Sequence, residues 1–162
     1  MSIAWRAFLA VLALPCIVAM VVPVVLVAIE GQSPPKGVFW IGLLPTAIGV
    51  LILLSCVRVF IEEGRGTLAP WDPPKSFVVG GLYRWVQNPM YIGVLSMLAG
   101  WAICWRSVTL AAYAGLVTLC FHLRVVIVEE PRLRSRFGDD FEDYAKRVHR
   151  WVPRLPPVIR RP

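Results

Sequence analysis

The sequence predicts an all-α, polytopic membrane protein, with about four transmembrane helices and a C-terminal amphipathic helix in one domain spanning residues 1–162. Three observations carry this. Hydrophobic residues make up 57% of the chain and charged residues only 17%, and the apolar residues are gathered into long runs rather than dispersed as in a soluble core. The runs are bounded by helix punctuation, with proline, glycine and capping residues at their ends. Basic residues crowd into alternate polar segments, the asymmetry that orients membrane helices.

The first run covers residues 5–29 and contains Pro15 and Pro23, which transmembrane helices tolerate. It is longer than the apolar part of a secretory signal and carries no clear small-x-small cleavage site, so a retained membrane helix is expected. Glu30-Gly31-Gln32-Ser33-Pro34-Pro35-Lys36 makes a polar turn. The second run, residues 38–60, includes Pro45 and closes with Arg58, whose long stem can snorkel to the interface. Residues 61–87 form the longest non-apolar stretch between spans, punctuated by Gly64, Gly66, Pro70, Pro73, Pro74, Gly80 and Gly81. Asn88-Pro89 reads as an N-cap followed by proline at the first helical position, opening a third span over residues 89–105. Arg106-Ser107 allows only a very tight turn, with Ser107 as the cap of the fourth span over residues 108–128.

That span runs into two adjacent carboxylates, Glu129 and Glu130, followed at once by Pro131. An acid at membrane depth costs about 2.5–3.5 kcal/mol at a helix centre. If the helix stops at Pro131, the pair also faces the negative end of its dipole. A cation or a set of donors is therefore expected opposite them. Beyond lies the cytoplasmic tail, residues 131–162, in which Phe137, Phe141, Tyr144, Ala145, Val148 and Trp151 recur at helical spacing. Asp139 and Glu142 have the spacing of a capping box. An amphipathic helix is expected, lying on the membrane surface or folded over the mouth of the bundle.

The net charge is +7, and nine of the 17 Lys and Arg follow Glu130. After a spanning segment this excess favours anionic headgroups over nucleic acid as partner. The basic residues place the N-terminus, the long middle loop and the tail together on the cytoplasmic side; the membrane is expected to be a bacterial inner membrane. Cys16, Cys56, Cys104 and Cys120 all lie in apolar runs without a C-x-x-C pair and are expected to be small buried hydrophobes. His122 and His149 are far apart in sequence, so no metal site is expected; His122 is read as a packed or hydrogen-bonded residue and His149 as a solvated one.

Because the third and fourth spans form a tight hairpin, the start of one and the end of the other meet. Asn88, Tyr91, Glu129 and Glu130 should converge in a cup open to the cytosol and walled by apolar groups, suited to a polar ligand with a positive centre. The ordered set Gly81-x-Tyr83-Arg84, Asn88-Pro89-x-Tyr91-x-Gly93, Glu129-Glu130, Phe137-Gly138-x-x-Phe141-x-x-Tyr144, Arg147-Val148 and Trp151-x-Pro153 resembles the superfamily of isoprenylcysteine carboxyl methyltransferases and phospholipid N-methyltransferases. Gly66-Thr67-Leu68-Ala69-Pro70-Trp71 also fits the loop of bacterial members, and the likeness covers roughly the C-terminal two thirds of the chain.

The resemblance implies a membrane methyltransferase that takes S-adenosylmethionine as cofactor and a lipophilic small molecule or lipidated species as acceptor. It also implies that Tyr83, Arg84, Asn88, Pro89, Tyr91, Gly93, Glu129 and Glu130 bind the cofactor, with Glu129 and Glu130 at the reacting site. Gln87 stands where the family pattern has arginine, and Asn88 where it has histidine. Two other classes compete. A non-catalytic membrane subunit or scaffold with a basic tail would bind no cofactor, and a nicotinamide-dependent membrane reductase would bind a different one.

Overall fold

The computed structural model describes residues 12–31, 33–35, 37–63 and 77–154. The described residues are helical with irregular connections, and they contain no strand. A π-helical segment, Leu12–Val21, runs directly into α1, Val22–Glu30. Helix α2 spans Phe39–Glu62, α3 Pro89–Trp105 and α4 Val108–Arg124. A π-turn, Val125–Glu129, joins α4 without a break to α5, Glu130–Phe137, and α6 covers Asp139–Arg147.

Helix α3 is the centre of the bundle, touching α1, α2 and α4. Small residues let α2 approach it closely. A Cβ at Gly49 would lie 2.4 Å from the Gly93 carbonyl oxygen, and one at Gly100 would lie 2.6 Å from that of Gly42. Backbone contact of this kind maximises dispersion where surrounding lipid removes the hydrophobic drive between helices. Ala19, Val94, Met97, Leu98 and Val117 form the shared core of the first helix, α3 and α4. At one end the Arg106 backbone turns through φ 48°, and the Ser107 hydroxyl accepts from the Leu110 N–H at 3.2 Å while donating to Glu30 at 2.9 Å. The expected Ser107 cap therefore also ties the α3–α4 hairpin to the end of α1.

Among the described residues, two helices are long and apolar enough to cross a bilayer: α2, and the continuous 30-residue helix Val108–Phe137. Pro15–Glu30 and Pro89–Trp105 are shorter apolar helices, so two of the four expected spans meet that criterion. The start of the first span, residues 5–11, and the Gly66–Trp71 loop lie outside the described residues.

The fourth span differs from expectation in an informative way. The helix does not stop at Pro131 but continues to Phe137. The Glu130 N–H bonds the Val125 carbonyl five residues back, which shifts the hydrogen-bond register just before the proline that cannot donate. The acids thus sit inside a long helix, and no helix terminus lies beside them. The tail differs as well. Gly138 breaks the helix at φ 48°, α6 ends at Arg147, and Val148 is extended, so the amphipathic helix is shorter than the residue spacing suggests. Gly138, not Asp139, is the N-cap, and the Asp139/Glu142 capping box does not form because Glu142 pairs with Arg134 at 3.1 Å. Of the cysteines, Cys56 and Cys104 are buried as expected, Cys16 is half-buried, and Cys120 is exposed on the outer face of α4.

The close seam makes a direct prediction. Gly49→Ala should cost about 2–3 kcal/mol by forcing backbones apart. Gly115→Ala, at an α4 position with nothing within 4 Å, should be neutral or gain up to about 1 kcal/mol from helix propensity. Melting of the two detergent-solubilised variants measures the difference.

Candidate functional site

The polar end of the bundle is assembled from four pieces of chain. Gly81, at φ 53° and with Val59 where a Cβ would go, starts the 3-10 turn Gly81–Arg84. This turn buries Tyr83 beside Cys56 and Val78. Pro89 then fixes the first turn of α3. The π-turn carries Glu129, and the tail folds back across the top.

The tail is held in place by two means. Phe141, Tyr144 and Val148 are buried against Phe77, Val79, Leu133 and Phe137, so α6 folds over the mouth of the bundle, the second of the two placements expected. Hydrogen bonds add register. Gln87 donates its side-chain amide to the Val148 carbonyl at 2.6 Å and its backbone N–H to that of His149 at 2.9 Å, and the Arg154 N–H reaches the Trp85 carbonyl at 2.9 Å. The Tyr144 hydroxyl donates to the Tyr83 carbonyl at 2.6 Å. Burial holds both phenols above their ordinary range, Tyr83 well above, so both are neutral donors at physiological pH. Asn88 does not cap α3 with its side chain. Its amide donates instead to the Arg150 carbonyl at 3.2 Å.

The two carboxylates have separate partners. Glu129 accepts from the Tyr91 hydroxyl and, at 2.8 Å, from Arg124 Nε, which also reaches the Tyr91 oxygen at 3.1 Å. Glu130 is gripped through both oxygens by Arg150, the second contact at 3.0 Å. Glu130 in turn holds the Arg150 guanidinium more firmly protonated than usual. The cationic and donor groups expected opposite the acids are thus Arg124, Arg150 and Tyr91. Trp151 donates its indole N–H to His122 Nδ1 at 3.2 Å, so His122 is the hydrogen-bonded residue of the two alternatives expected for it, and it lies in the tail's docking surface.

A cavity of about 90 Å³ lies under the tail, walled by the rings of Phe60, Phe77, Tyr83, Phe137, Phe141 and Tyr144 and by Gln87, Asn88, Glu129 and Glu130. Beside it a more open space of about 440 Å³ shares Gln87, Glu130 and Phe141 and is bounded further by His122, Arg134, His149, Arg150 and Trp151. Of the residues the sequence singles out, Tyr83, Asn88, Glu129 and Glu130 line the first cavity. Tyr91 is 8% exposed and stands behind Glu129, its ring tilted against that of Phe121 at 4.4 Å between ring centres. Gly93 faces α2, where a Cβ would lie 2.9 Å from the Gly49 carbonyl. Pro89 is buried, and Arg84 is exposed and borders neither space. Arg124, Gln87 as an anchor, and Arg150 are not among the site residues that the sequence singles out. Only the lone charge of Arg124 near the end of an apolar run gave a signal for the first.

Residues 38–140 match the phospholipid methyltransferase family. The chain belongs to that family. Among curated relatives it is 30% identical over 117 residues to protein-S-isoprenylcysteine O-methyltransferase of Schizosaccharomyces pombe, covering 68% of this chain and 50% of that protein. It is 27% identical over 120 residues to a probable protein-S-isoprenylcysteine O-methyltransferase of Oryza sativa subsp. indica, covering 72% and 61%. A third relative, the nickel-cobalt-cadmium resistance protein NccN of Alcaligenes xylosoxydans xylosoxydans, is 30% identical over 145 residues, covering 84% and 62%. The chain thus spans between half and about three fifths of the length of these relatives. No solved structure matches. Family membership and the two long apolar helices make this an integral membrane protein.

The tail's attachment is testable apart from any ligand. Tyr144→Phe and Gln87→Ala each remove a buried or half-buried bond to a carbonyl, worth about 1–1.5 kcal/mol. Trypsin should then cut after Arg147 or Arg150 about tenfold faster, because proteolysis of a locally opened segment follows its open population. Arg84→Ala should leave the rate unchanged.

Proposed function

We propose that the chain is an integral-membrane methyltransferase that uses S-adenosylmethionine and acts on a lipophilic acceptor, in the manner of isoprenylcysteine carboxyl methyltransferases. The observation that carries this reading is the meeting of two carboxylates with amide and aromatic walls at the polar end of an apolar bundle, in a chain of this family. Four spans, both termini and the cup on the cytosolic side, and a bacterial inner membrane complete the proposal. The excess of basic residues in the middle loop and tail supports that orientation.

The donor set suits the cofactor. Glu129 and Glu130 present anionic oxygens to a ligand bearing a sulfonium, an ammonium and ribose hydroxyls. The Tyr83, Phe141 and Tyr144 rings offer faces to its positive centre, and Asn88 and Gln87 supply amides. The 90 Å³ under the tail is smaller than the roughly 300–1,000 Å³ of a typical ligand pocket, and the adjoining 440 Å³ supplies the remaining room once the Arg150–Glu130 contact shifts. Bound there, the cofactor would supply an activated methyl group. The chain's own residues would then orient and desolvate. Glu129 is fixed by Tyr91 and Arg124, Glu130 is available to a cation in place of Arg150, and the Phe137 and Phe141 rings exclude water from above. The lipophilic acceptor would arrive from the bilayer, against the exposed apolar sides of α2 and α4.

Titration of the purified protein with S-adenosylhomocysteine tests the reading. The native chain should bind, and Glu129→Gln with Glu130→Gln should weaken binding at least about tenfold, since hydrogen bonds to charged groups carry about 1.5–3 kcal/mol each. Unchanged affinity removes the pair from the cofactor site. Binding of reduced nicotinamide cofactor without S-adenosylhomocysteine binding would replace this reading with the reductase. Incubation with methyl-labelled cofactor and a membrane extract should yield a labelled lipophilic product.

A further inference from the structure

Arg124 and Glu129 are five residues apart on one continuous helix, yet Arg124 Nε meets the Glu129 carboxylate at 2.8 Å. In a regular α-helix, residues five apart point about 140° away from each other. They meet here because the π-turn Val125–Glu129 closes its hydrogen bonds over five residues instead of four, which stacks residue i over residue i+5. Such single turns inside α-helices are frequent at functional sites. The same single N–H of Arg124 also reaches the hydroxyl oxygen of Tyr91 on α3, and that hydroxyl donates a hydrogen bond to the same Glu129 oxygen. Three groups on two helices thereby close a ring. Neither Arg124 nor Tyr91 lines either cavity, whereas Glu129 does.

We infer that Arg124 is a positioning residue: through the π-turn it sets, with Tyr91, the direction in which Glu129 presents its carboxylate to the cavity. The inference deepens the methyltransferase reading, because the ligand that this carboxylate meets is the one proposed above. The alternative role for Arg124 is a snorkelling anchor at the membrane edge. Its side chain is 44% exposed, so that role is physically open to it, and it would make the Arg124 contribution independent of Glu129.

A double-mutant cycle on the full chain separates the two. In S-adenosylhomocysteine titrations, Arg124→Gln should weaken binding about tenfold and Arg124→Lys about threefold, and neither should weaken it further in a Glu129→Gln background. Losses that add in that background overturn the inference. If Arg124→Gln does not purify folded, the cycle with Arg124→Lys decides. A second readout needs no ligand. The infrared carboxylate band assigned to Glu129, by difference from Glu129→Gln, should shift when Arg124 is replaced, and an unmoved band overturns the inference. Failure of the native chain to bind the nucleoside would count against the proposed function alone, with the infrared arm still deciding the role of Arg124.

Discussion

Two neighbouring carboxylates where the lipid-facing part of a long helix gives way to its polar part must find donors, and the polar end of this structure is organised around that requirement. Glu129 is satisfied from within the bundle, by Tyr91 of α3 and Arg124 of its own helix. Glu130 is satisfied from outside, by Arg150 of the tail. One acid therefore locks the two helices of the hairpin together, and the other locks the tail over them. Breaking a partly desolvated pair leaves a charge unpaired, which is why each partner comes with its own supporting contacts. Asn88 holds the Arg150 backbone, Gln87 holds the two residues before it, and Tyr91 backs Arg124.

The bundle beneath serves this end. The small residues of α2 and α3 bring their backbones close, which fixes α3 as the central column and so fixes where Tyr91 and Asn88 stand. The Ser107 cap and the left-handed Arg106 return the chain at once, so that α4 comes back alongside α3 and delivers Glu129 to Tyr91. Long apolar α4 is covered by protein on little of its surface. Its exposed Leu116, Leu119 and Leu123 suit lipid, and its one formal charge, Arg124, stands at the end where the tail docks.

Much of this could be read from the residues. Asn88-Pro89 and Ser107 mark the hairpin unambiguously, and the convergence of Tyr91 with the acids follows from it. What could not be read has physical causes. Pro131 signals a helix end, but a register shift five residues long absorbs it, and no residue pattern in Val125–Glu129 announces that shift. For the same reason the Arg124–Glu129 contact is hidden: ordinary helical periodicity puts the two on different faces. Gly93 and Gly81 belong to the family pattern yet act through packing, since each has a neighbour where its Cβ would be. Gln87, which lacks the charge of the family's arginine, works as a backbone anchor for the tail, a role visible only when the tail's carbonyls are in place. The capping-box spacing at Asp139 misleads because a left-handed Gly138 starts α6 and a tertiary ion pair takes Glu142.

The most direct measurement is ultraviolet crosslinking of methyl-labelled S-adenosylmethionine to the purified, detergent-solubilised chain, followed by peptide mapping. Label confined to the segments around Tyr83–Tyr91 and Glu129–Tyr144, and abolished by excess S-adenosylhomocysteine, is the predicted result. Competable label on α1 or on the Arg106–Ser107 end of the hairpin would place the nucleoside elsewhere and contradict the site built here.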